Sequence, residues 1–238
     1  MRSVLAPLSC FWVSALAQTI PSDSFSDLEI YWNYLYPWGE DHNGGARMYA
    51  DHVSVQDGAL VLTAEPVSDE PANGDIAINY RSGAIHAKET FTVQPGGGYD
   101  FSAEFQAPVA RGTWPAFWLT GADSWPPEID LAEWKGSGDI SFNTFNTSSE
   151  VTALDVAYPD PEAWHAVKAE IRAVDDDVVS VDFYLDGASV TRQYGSGFVG
   201  APLWFIINYQ MEGSSGSPGP SETTTYSIRN AEVIDLNP

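Results

Sequence analysis

The amino-acid sequence predicts an all-β protein built from two packed antiparallel sheets, or from a barrel. Apolar residues alternate with polar ones at period two over much of the chain, and turn signals are frequent. In addition, 20 glycines and 16 prolines leave few windows in which a helix could run for three turns. Many short strands separated by turns are typical of sandwiches and barrels. Two sheets that pack together bury one face each, so the outer face of one sheet stays available for a groove.

The predicted strands follow one another along the chain. Residues 53–62 (VSVQDGALVL) alternate apolar and polar side chains around a turn at Gln56-Asp57-Gly58, which is a hairpin pattern. Residues 101–105 (FSAEF) show the same alternation, and residues 179–187 (VSVDFYLDG) show it up to an Asp-Gly turn. Residues 203–209 (LWFIINY) are almost continuously apolar, which predicts a strand covered on both faces.

The first 17 residues are predicted to be a secretory leader. Arg2 precedes an apolar run of about 14 residues that ends in the small residues of Ala15-Leu16-Ala17, a pattern typical of a signal peptide and its cleavage site. The run is too short to span a bilayer, and Pro7 interrupts it. A buried N-terminal strand or helix is the alternative. Residues 18–238 contain no linker or repeat and are predicted to form a single secreted, extracellular domain.

The balance of charge favours a neutral substrate. The chain has 10 Lys and Arg against 33 Asp and Glu, a net charge of −23, and such a protein should repel nucleic acid and anionic membranes. Its one cysteine, Cys10, lies in the predicted leader, which excludes cysteine-based catalysis in the exported chain. We expect a monomer with a neutral partner and no contact with nucleic acid or membrane.

The stretch WPPEIDLAEWKG places Glu128, Asp130 and Glu133 within six positions. On a helix the first and last of these acids would lie about 140° apart. On a regular strand Glu128 and Asp130 share a face, but the offset of five residues turns Glu133 to the opposite face. A β-bulge near Leu131-Ala132 inserts one extra residue and brings all three acids to the same side, with Ile129 turned towards the core.

Three carboxylates on one face predict acid–base chemistry on a sugar. Like charges that are crowded together raise the pKa of some members of the group, and two acids with separated pKa values are what cleavage of a glycosidic bond needs. Four tryptophans lie within 21 residues of this row, and indole faces stack on the C–H faces of sugars: Trp114, Trp118, Trp125 and Trp134. The alternatives are ordinary surface acids on an edge strand, a first helical turn opened by Pro126-Pro127, and core packing for Trp118.

The E-x-D-x-x-E pattern and the preceding GTWPAFWLTG (112–121) resemble glycoside hydrolase family 16. YRSG (80–83), WHAVKAEI (164–171), FYLDG (183–187) and LWFIINYQMEG (203–213) extend the resemblance over most of the chain. It implies a concanavalin-like β-sandwich, or jelly roll, of two antiparallel sheets with a substrate cleft on one face. It also implies a retaining endo-hydrolase of the bulged branch, which includes laminarinases, agarases and related galactan enzymes.

The resemblance also implies roles for individual residues. Glu128 would be the nucleophile, Asp130 would assist it, and Glu133 would be the general acid/base. Laminarinases commonly carry a histidine soon after the motif, where this sequence has Asn143, and the aromatic run YWNYLYPW ends in a loop-like segment at Trp38. For His165 a structural, hydrogen-bonded role is the alternative. The predicted substrate contacts are Trp38, Trp114, Trp118, Trp125, Trp134, Asn143, His165 and Asn208.

The expected function is that of a secreted retaining endo-β-glycosidase that hydrolyses a neutral β-1,3-linked polysaccharide, either a β-glucan or a β-1,3-galactan. A transglycosylase with the same residues and a non-catalytic carbohydrate-binding sandwich are the alternatives. We predict no cofactor and assign no metal ligand, because the four histidines are dispersed. The segment AVDDDVV (173–179) is interpreted as an acidic hairpin turn, and calcium binding there is left open.

Overall fold

A computed structural model of the protein describes residues 17–238, and strands make up most of this part of the chain. The leader predicted over residues 1–17 lies outside the described residues, apart from Ala17. No helix in residues 17–238 has both the length and the apolar character needed to cross a membrane. The helical segments there are α1 (Leu28–Tyr31) and three 3₁₀ helices at Ser24–Ser26, Ala50–His52 and Gly213–Ser215.

In chain order the strands of the described residues are β1 (Ala17–Ile20), β2 (Trp32–Tyr34), β3 (Ala46–Met48), β4 (Val53–Gln56), β5 (Ala59–Pro66), β6 (Tyr80–Ser82), β7 (Ala84–Ala87), β8 (Phe91–Thr92), β9 (Gly98–Gln106), β10 (Thr113–Gly121), β11 (Glu128–Glu133), β12 (Asp139–Thr147), β13 (Glu150–Ala157), β14 (His165–Ala173), β15 (Val178–Leu185), β16 (Ala188–Ser196), β17 (Pro202–Met211) and β18 (Thr224–Asp235).

These strands form two sheets that pack face to face. The ten-stranded sheet has the order β16-β15-β14-β9-β18-β5-β6-β3, with β1 beside β18 and β4 beside β5. The eight-stranded sheet has the order β13-β12-β11-β10-β17-β7-β2, with β8 beside β17. The predicted two-sheet sandwich is confirmed. One detail differs from the prediction, because β3 and β6 pair in parallel whereas the other named pairs are antiparallel.

Two tight turns were correctly predicted from Asp-Gly pairs. Asp57 and Gly58 connect β4 to β5 with φ values of 51° and 80°, and Asp186 and Gly187 connect β15 to β16 with φ values of 50° and 75°. Positive φ at both central residues is the geometry that matches the twist of a hairpin. The acidic segment 173–179 is also a turn, in which Asp175 Oδ1 accepts hydrogen bonds from the two backbone N–H groups that follow at residues 177 and 178.

Aromatic rings from both sheets meet in the core between them. Phe205 of β17 lies at the centre of this packing, with its ring centroid 4.9 Å from that of Phe117, 5.1 Å from that of Phe101 and 5.5 Å from that of Trp32. Phe101 belongs to the ten-stranded sheet and the other three residues belong to the eight-stranded sheet. This contact therefore holds the two sheets together, and it fixes the inner face of the strands whose outer face forms the cleft described below.

We expect Phe205→Ala to lower the free energy of unfolding by about 3–5 kcal/mol, because it removes a fully buried ring and leaves a cavity between the sheets. Chemical denaturation measures this loss. The matched control is Tyr194→Ala, at a ring that is 52% exposed, which should change the free energy of unfolding by no more than about 0.5 kcal/mol. Equal losses in the two variants would contradict this account of the core.

Candidate active site

A bulge in β11 decides where its side chains point. On the neighbouring strand β10, Trp118 pairs with Asp130 and Phe117 pairs with Ala132, so Leu131 has no partner. The register to β12 shifts over the same stretch. One unpaired residue restores the shared orientation that an offset of five residues would otherwise destroy. The bulge expected from the spacing of the acids is thus confirmed.

The bulge aligns Glu128, Asp130 and Glu133 along one cleft on the outer face of the eight-stranded sheet. The cleft has a volume of about 380 Å³. Ile129 lies on the opposite side of the strand and is fully buried in the core. Asp130 and Glu133 are themselves only 6% and 7% exposed, so their carboxylates are largely removed from water. We call these three acids the carboxylate row.

Glu133 receives hydrogen bonds from three side chains. Trp114 Nε1 donates to Oε1 at 2.6 Å, and Lys135 Nζ and Asn143 Nδ2 donate to Oε2 at 2.8 Å and 3.0 Å. Asn143 Nδ2 also donates to Asp130 Oδ2 at 2.8 Å. Hydrogen bonds that involve a charged donor or acceptor are the stronger ones, so these contacts fix the orientation of the Glu133 carboxylate in the cleft.

The rest of the row holds protons more tightly than free carboxyl groups do. Burial raises the pKa of Glu128 to about 7 and the charge of Glu133 acts in the same direction, although Trp125 Nε1 donates to Glu128 Oε2 at 2.9 Å. Burial also raises the pKa of Asp130 well above its usual range, and the neighbouring carboxylates add to this effect. Near neutral pH the row can therefore offer both a proton and an ionised carboxylate, which is the pair that acid-assisted displacement requires.

Tryptophans line the cleft in two ways. Trp38 and Trp125 flank it and are 47% and 51% exposed. Trp114 and Trp118 also line it but are nearly buried, and Trp118 Nε1 donates to Asn208 Oδ1 at 2.7 Å. The first two rings present open faces to a ligand, whereas the second two form a floor with fixed orientation. An apolar floor beside buried acids suits a sugar ring, because sugars have apolar C–H faces and polar edges.

Comparison with known proteins now decides the family. Residues 45–196 match the model described as glycosyl hydrolases family 16. The chain belongs to this family. It is therefore a glycoside hydrolase, and the resemblance seen in the sequence is confirmed.

The family 16 hydrolase has a close curated relative and well-matched structural neighbours. It is 51% identical over 223 residues to a galactan endo-β-1,3-galactanase of Flammulina velutipes. The alignment covers 91% of this chain and 90% of the relative. An endo-1,3-β-glucanase from Streptomyces sioyaensis superposes with a TM-score of 0.77 over 99% of this chain and 100% of that chain, at 20% identity. The laminarinase catalytic domain from Thermotoga maritima superposes with a TM-score of 0.68 over 87% of this chain and 92% of that chain, also at 20% identity. The two structures share the fold of the hydrolase.

Trp134 is not a cleft residue in the hydrolase, and its prediction as a sugar contact is wrong. The indole is fully buried and packs against Phe105, Tyr158 and Tyr226, with centroid distances of 5.4 Å, 5.4 Å and 5.8 Å. It follows Glu133 directly, and successive side chains of an extended chain point to opposite faces. Trp134 therefore belongs to the core beneath the carboxylate row.

His165 is also corrected from a substrate contact to a structural residue. It lies on β14 of the ten-stranded sheet, away from the strands that carry the cleft. Its Nδ1 is 2.8 Å from Asp186 Oδ2 and its Nε2 is 3.2 Å from the carbonyl oxygen of Asp160. Both ring nitrogens are thus engaged within the fold, as in the structural alternative weighed for this residue.

Several residues of the cleft region were missed, and Lys135 and His42 matter most among them. Lys135 lies two positions after Glu133, and the alternation of an extended chain could have placed it beside that acid. Its own burial disfavours charge, but the surrounding carboxylates outweigh this and raise the pKa of its ammonium group. His42 lines the cleft next to Trp38 and Trp118, and no local pattern in the sequence indicated this.

We expect the stability of the hydrolase to depend on pH through Glu128. Because the folded state raises its pKa from 4.5 to about 7, the folded protein binds this proton more tightly than the unfolded chain. The resulting stabilisation is complete below pH 4.5 and is lost as the pH rises to about 7. A shift of this size corresponds to about 3–4 kcal/mol at most.

Glu128→Gln removes this titration. The difference between the two free energies of unfolding, wild type minus variant, should therefore fall as pH rises from about 4 to 8. Denaturant unfolding at several pH values measures the difference. The exposed Glu150→Gln serves as the control and should leave the pH profile of wild type in place. Parallel profiles for wild type and Glu128→Gln would refute the proposed environment of this carboxyl group.

Proposed function

We propose that this family 16 hydrolase is a retaining endo-β-1,3-galactanase that is exported through the leader at residues 1–17 and acts as a monomer. The observation that carries the choice of galactan is the 51% identity, over 91% of the chain, to a relative named as an endo-β-1,3-galactanase. The structural neighbours named as β-1,3-glucanases share only about 20% of residues, which supports the fold and not the sugar. The net charge of −23 fits a neutral polymer.

The carboxylate row supplies the two groups of a double displacement. Glu128 attacks the anomeric carbon and forms a glycosyl ester, while Glu133 gives its proton to the leaving oxygen. Glu133 then takes a proton from the water that attacks the anomeric carbon of the ester. The bond from that carbon to Glu128 breaks, which releases the sugar with retained configuration and regenerates the Glu128 carboxylate. Asp130 lies between the two and shares Asn143 with Glu133, so it connects the charges of both acids.

Bound substrate must redistribute the proton of the row. In the free cleft the raised pKa of Glu128 favours its protonated form, whereas the reaction starts from an ionised Glu128 and a protonated Glu133. Positive charge that develops at the anomeric carbon favours the ionised form of Glu128. The leaving oxygen draws the proton of Glu133 as its bond breaks. Both effects grow towards the transition state, so the site is complementary to the reacting sugar rather than to the resting one.

A panel of polysaccharides tests the proposal. We expect the purified protein to release oligosaccharides from β-1,3-galactan, with slower or no release from laminarin and lichenan, as measured by mass spectrometry of the products. Proton NMR of the first products should show the β-anomer. Glu128→Gln should lower kcat by at least about 1,000-fold on galactan, because it removes the nucleophile.

Each outcome of the panel that contradicts the proposal would indicate a different function. Cleavage of laminarin with intact galactan would reassign the substrate to β-1,3-glucan. If none of the polymers is cleaved at any pH tested, the non-catalytic carbohydrate-binding sandwich becomes the favoured function. Lengthened chains at high substrate concentration would indicate transglycosylation, and near wild-type activity of Glu128→Gln would remove this residue from the mechanism.

We also expect Lys135→Met to lower kcat/KM on galactan by about 10-fold. The Lys135 ammonium group donates to Glu133 Oε2 at 2.8 Å, so its loss leaves the general acid less firmly positioned. The matched control is Lys168→Met, which removes a lysine paired with Glu170 at 2.6 Å on the ten-stranded sheet. The control should keep the kcat/KM of wild type, and an unchanged kcat/KM in Lys135→Met would show that this ion pair does not position the acid.

A further inference from the structure

His42 occupies an unusual position at the wall of the cleft. Its ring centroid lies 5.2 Å from that of Trp38, 5.3 Å from that of Tyr36 and 5.8 Å from that of Trp118, to which it is nearly parallel. Three aromatic rings thus pack around the imidazole, and Trp118 stacks on it. The residue also lines the cleft that contains the carboxylate row.

The loop that carries His42 is held in place on both sides of the residue. Asp41 accepts two hydrogen bonds from the nearly buried guanidinium of Arg47, at 2.9 Å and 2.7 Å. The backbone carbonyl of Asp41 accepts from Trp38 Nε1 at 3.2 Å, and that of His42 accepts from Asn73 Nδ2 at 3.2 Å. These contacts fix the backbone at His42, so a ligand would not have to order the loop.

The same loop is then anchored to the end of β17. Gly45 N donates to the carbonyl oxygen of Met211 at 2.7 Å, and Ala46 N donates to Gln210 Oε1 at 2.8 Å. The approach is close, because a Cβ atom on Gly44 would lie 2.5 Å from Gln210 Cγ. Since β17 is hydrogen-bonded to β10 in the centre of the eight-stranded sheet, His42 is fixed relative to the cleft floor.

The imidazole of His42 has no hydrogen-bond partner among residues 17–238, the part of the chain that the structure describes. Within that part, the hydrogen bond of this residue runs through its backbone carbonyl. In contrast, His52, His86 and His165 each have a ring nitrogen within 3.1 Å of a protein oxygen. A polar ring that is packed in place and left unpartnered at a cleft wall is prepared for a partner from outside.

The ring of His42 also carries no charge under ordinary conditions. Burial among the aromatic rings lowers its pKa from 6.5 to about 4. A neutral imidazole has one N–H donor and one nitrogen acceptor. It matches a hydroxyl group, which can both accept and donate, better than it matches an anion. The ligand chemistry that fits is therefore a sugar hydroxyl at the edge of a ring.

We propose that His42 binds a hydroxyl group of the sugar unit held between Trp38 and the carboxylate row, and that it contributes in this way to the choice of glycan. This inference rests on the proposed function, since it assumes that a β-1,3-glycan occupies the cleft. The side chain makes its contact with the substrate, and it takes no part in the transfer of the proton or the glycosyl group. Loss of the contact leaves a polar hydroxyl without a partner in a partly buried site, which is costly for binding.

His42→Phe tests the proposal, because phenylalanine keeps the ring that packs on Trp38 and Trp118 but has no nitrogen atoms. We expect kcat/KM on β-1,3-galacto-oligosaccharides to fall by about 10-fold or more, with an unchanged thermal unfolding temperature. The matched control is His52→Phe, since His52 lies outside the cleft and bonds to the carbonyl oxygen of Thr63. This control should keep the kcat/KM of wild type. A kcat/KM within twofold of wild type in His42→Phe would overturn the proposal.

A series of monodeoxy oligosaccharides separates a contact from an indirect effect on the fold. Removal of the hydroxyl that His42 binds should reduce kcat/KM about 10-fold in wild type and hardly at all in His42→Phe, whereas removal of other hydroxyls should have the same effect in both proteins. Effects that are additive at every hydroxyl position would overturn the proposal even if His42→Phe is a poor enzyme.

Failure of the proposed function remains distinguishable. The wild type is assayed first on galactan and laminarin, and the deoxy series is then built on the oligosaccharide of the polymer that it cleaves. If it cleaves neither, calorimetric titration of both oligosaccharide series measures binding without turnover. Coupling between His42 and one hydroxyl in the glucan series would overturn the galactanase assignment and support the role of His42. If no hydroxyl group in the series that was assayed is coupled to His42, the role of His42 is overturned and the proposed function of the hydrolase is not affected.

Discussion

One unpaired residue in β11 is the constraint on which the site depends. Without Leu131 as an extra residue, the strand parity would turn Glu133 into the core and leave its carboxylate among aromatic rings. With it, Glu133 faces the cleft and Trp134 takes the core position instead. The bulge therefore places the carboxylate of Glu133 in the cleft and the indole of Trp134 in the core.

The crowding of three acids is tolerated because neighbouring strands supply donors. Trp114 comes from β10 and Asn143 from β12, the two strands that flank β11, and Lys135 follows directly after its end. Charge on a buried carboxylate is unfavourable unless it is paired and hydrogen-bonded. The donors meet this need unevenly, since Glu133 receives three of them and the pKa values of Glu128 and Asp130 stay high. Three residues with the same functional group therefore have different environments, and this allows them to have different chemical roles.

Local rules of sequence predicted much of this fold, and non-local contacts explain what they left out. The Asp-Gly turns and the bulge follow from backbone geometry within a few residues, and both are found. The parallel pairing of β3 with β6 joins segments that lie far apart, so no local pattern indicates it. Trp134 was misassigned although the parity argument used for Glu133 already placed it in the core. The position of His42 depends on Gln210 and Met211, some 170 residues further along the chain, which spacing alone does not reveal.

The indole donors have a further consequence for how the protein can be studied. Trp114 and Trp125 each donate their N–H to one acid of the carboxylate row, Trp114 to Glu133 and Trp125 to Glu128. An indole responds to a nearby charge in its excited state, so a gain or loss of a proton on either acid changes the local field at a chromophore. Single replacements of these two rings by phenylalanine would separate their emission from that of the other tryptophans. The chain thus contains an intrinsic optical reporter for each of two acids in the carboxylate row.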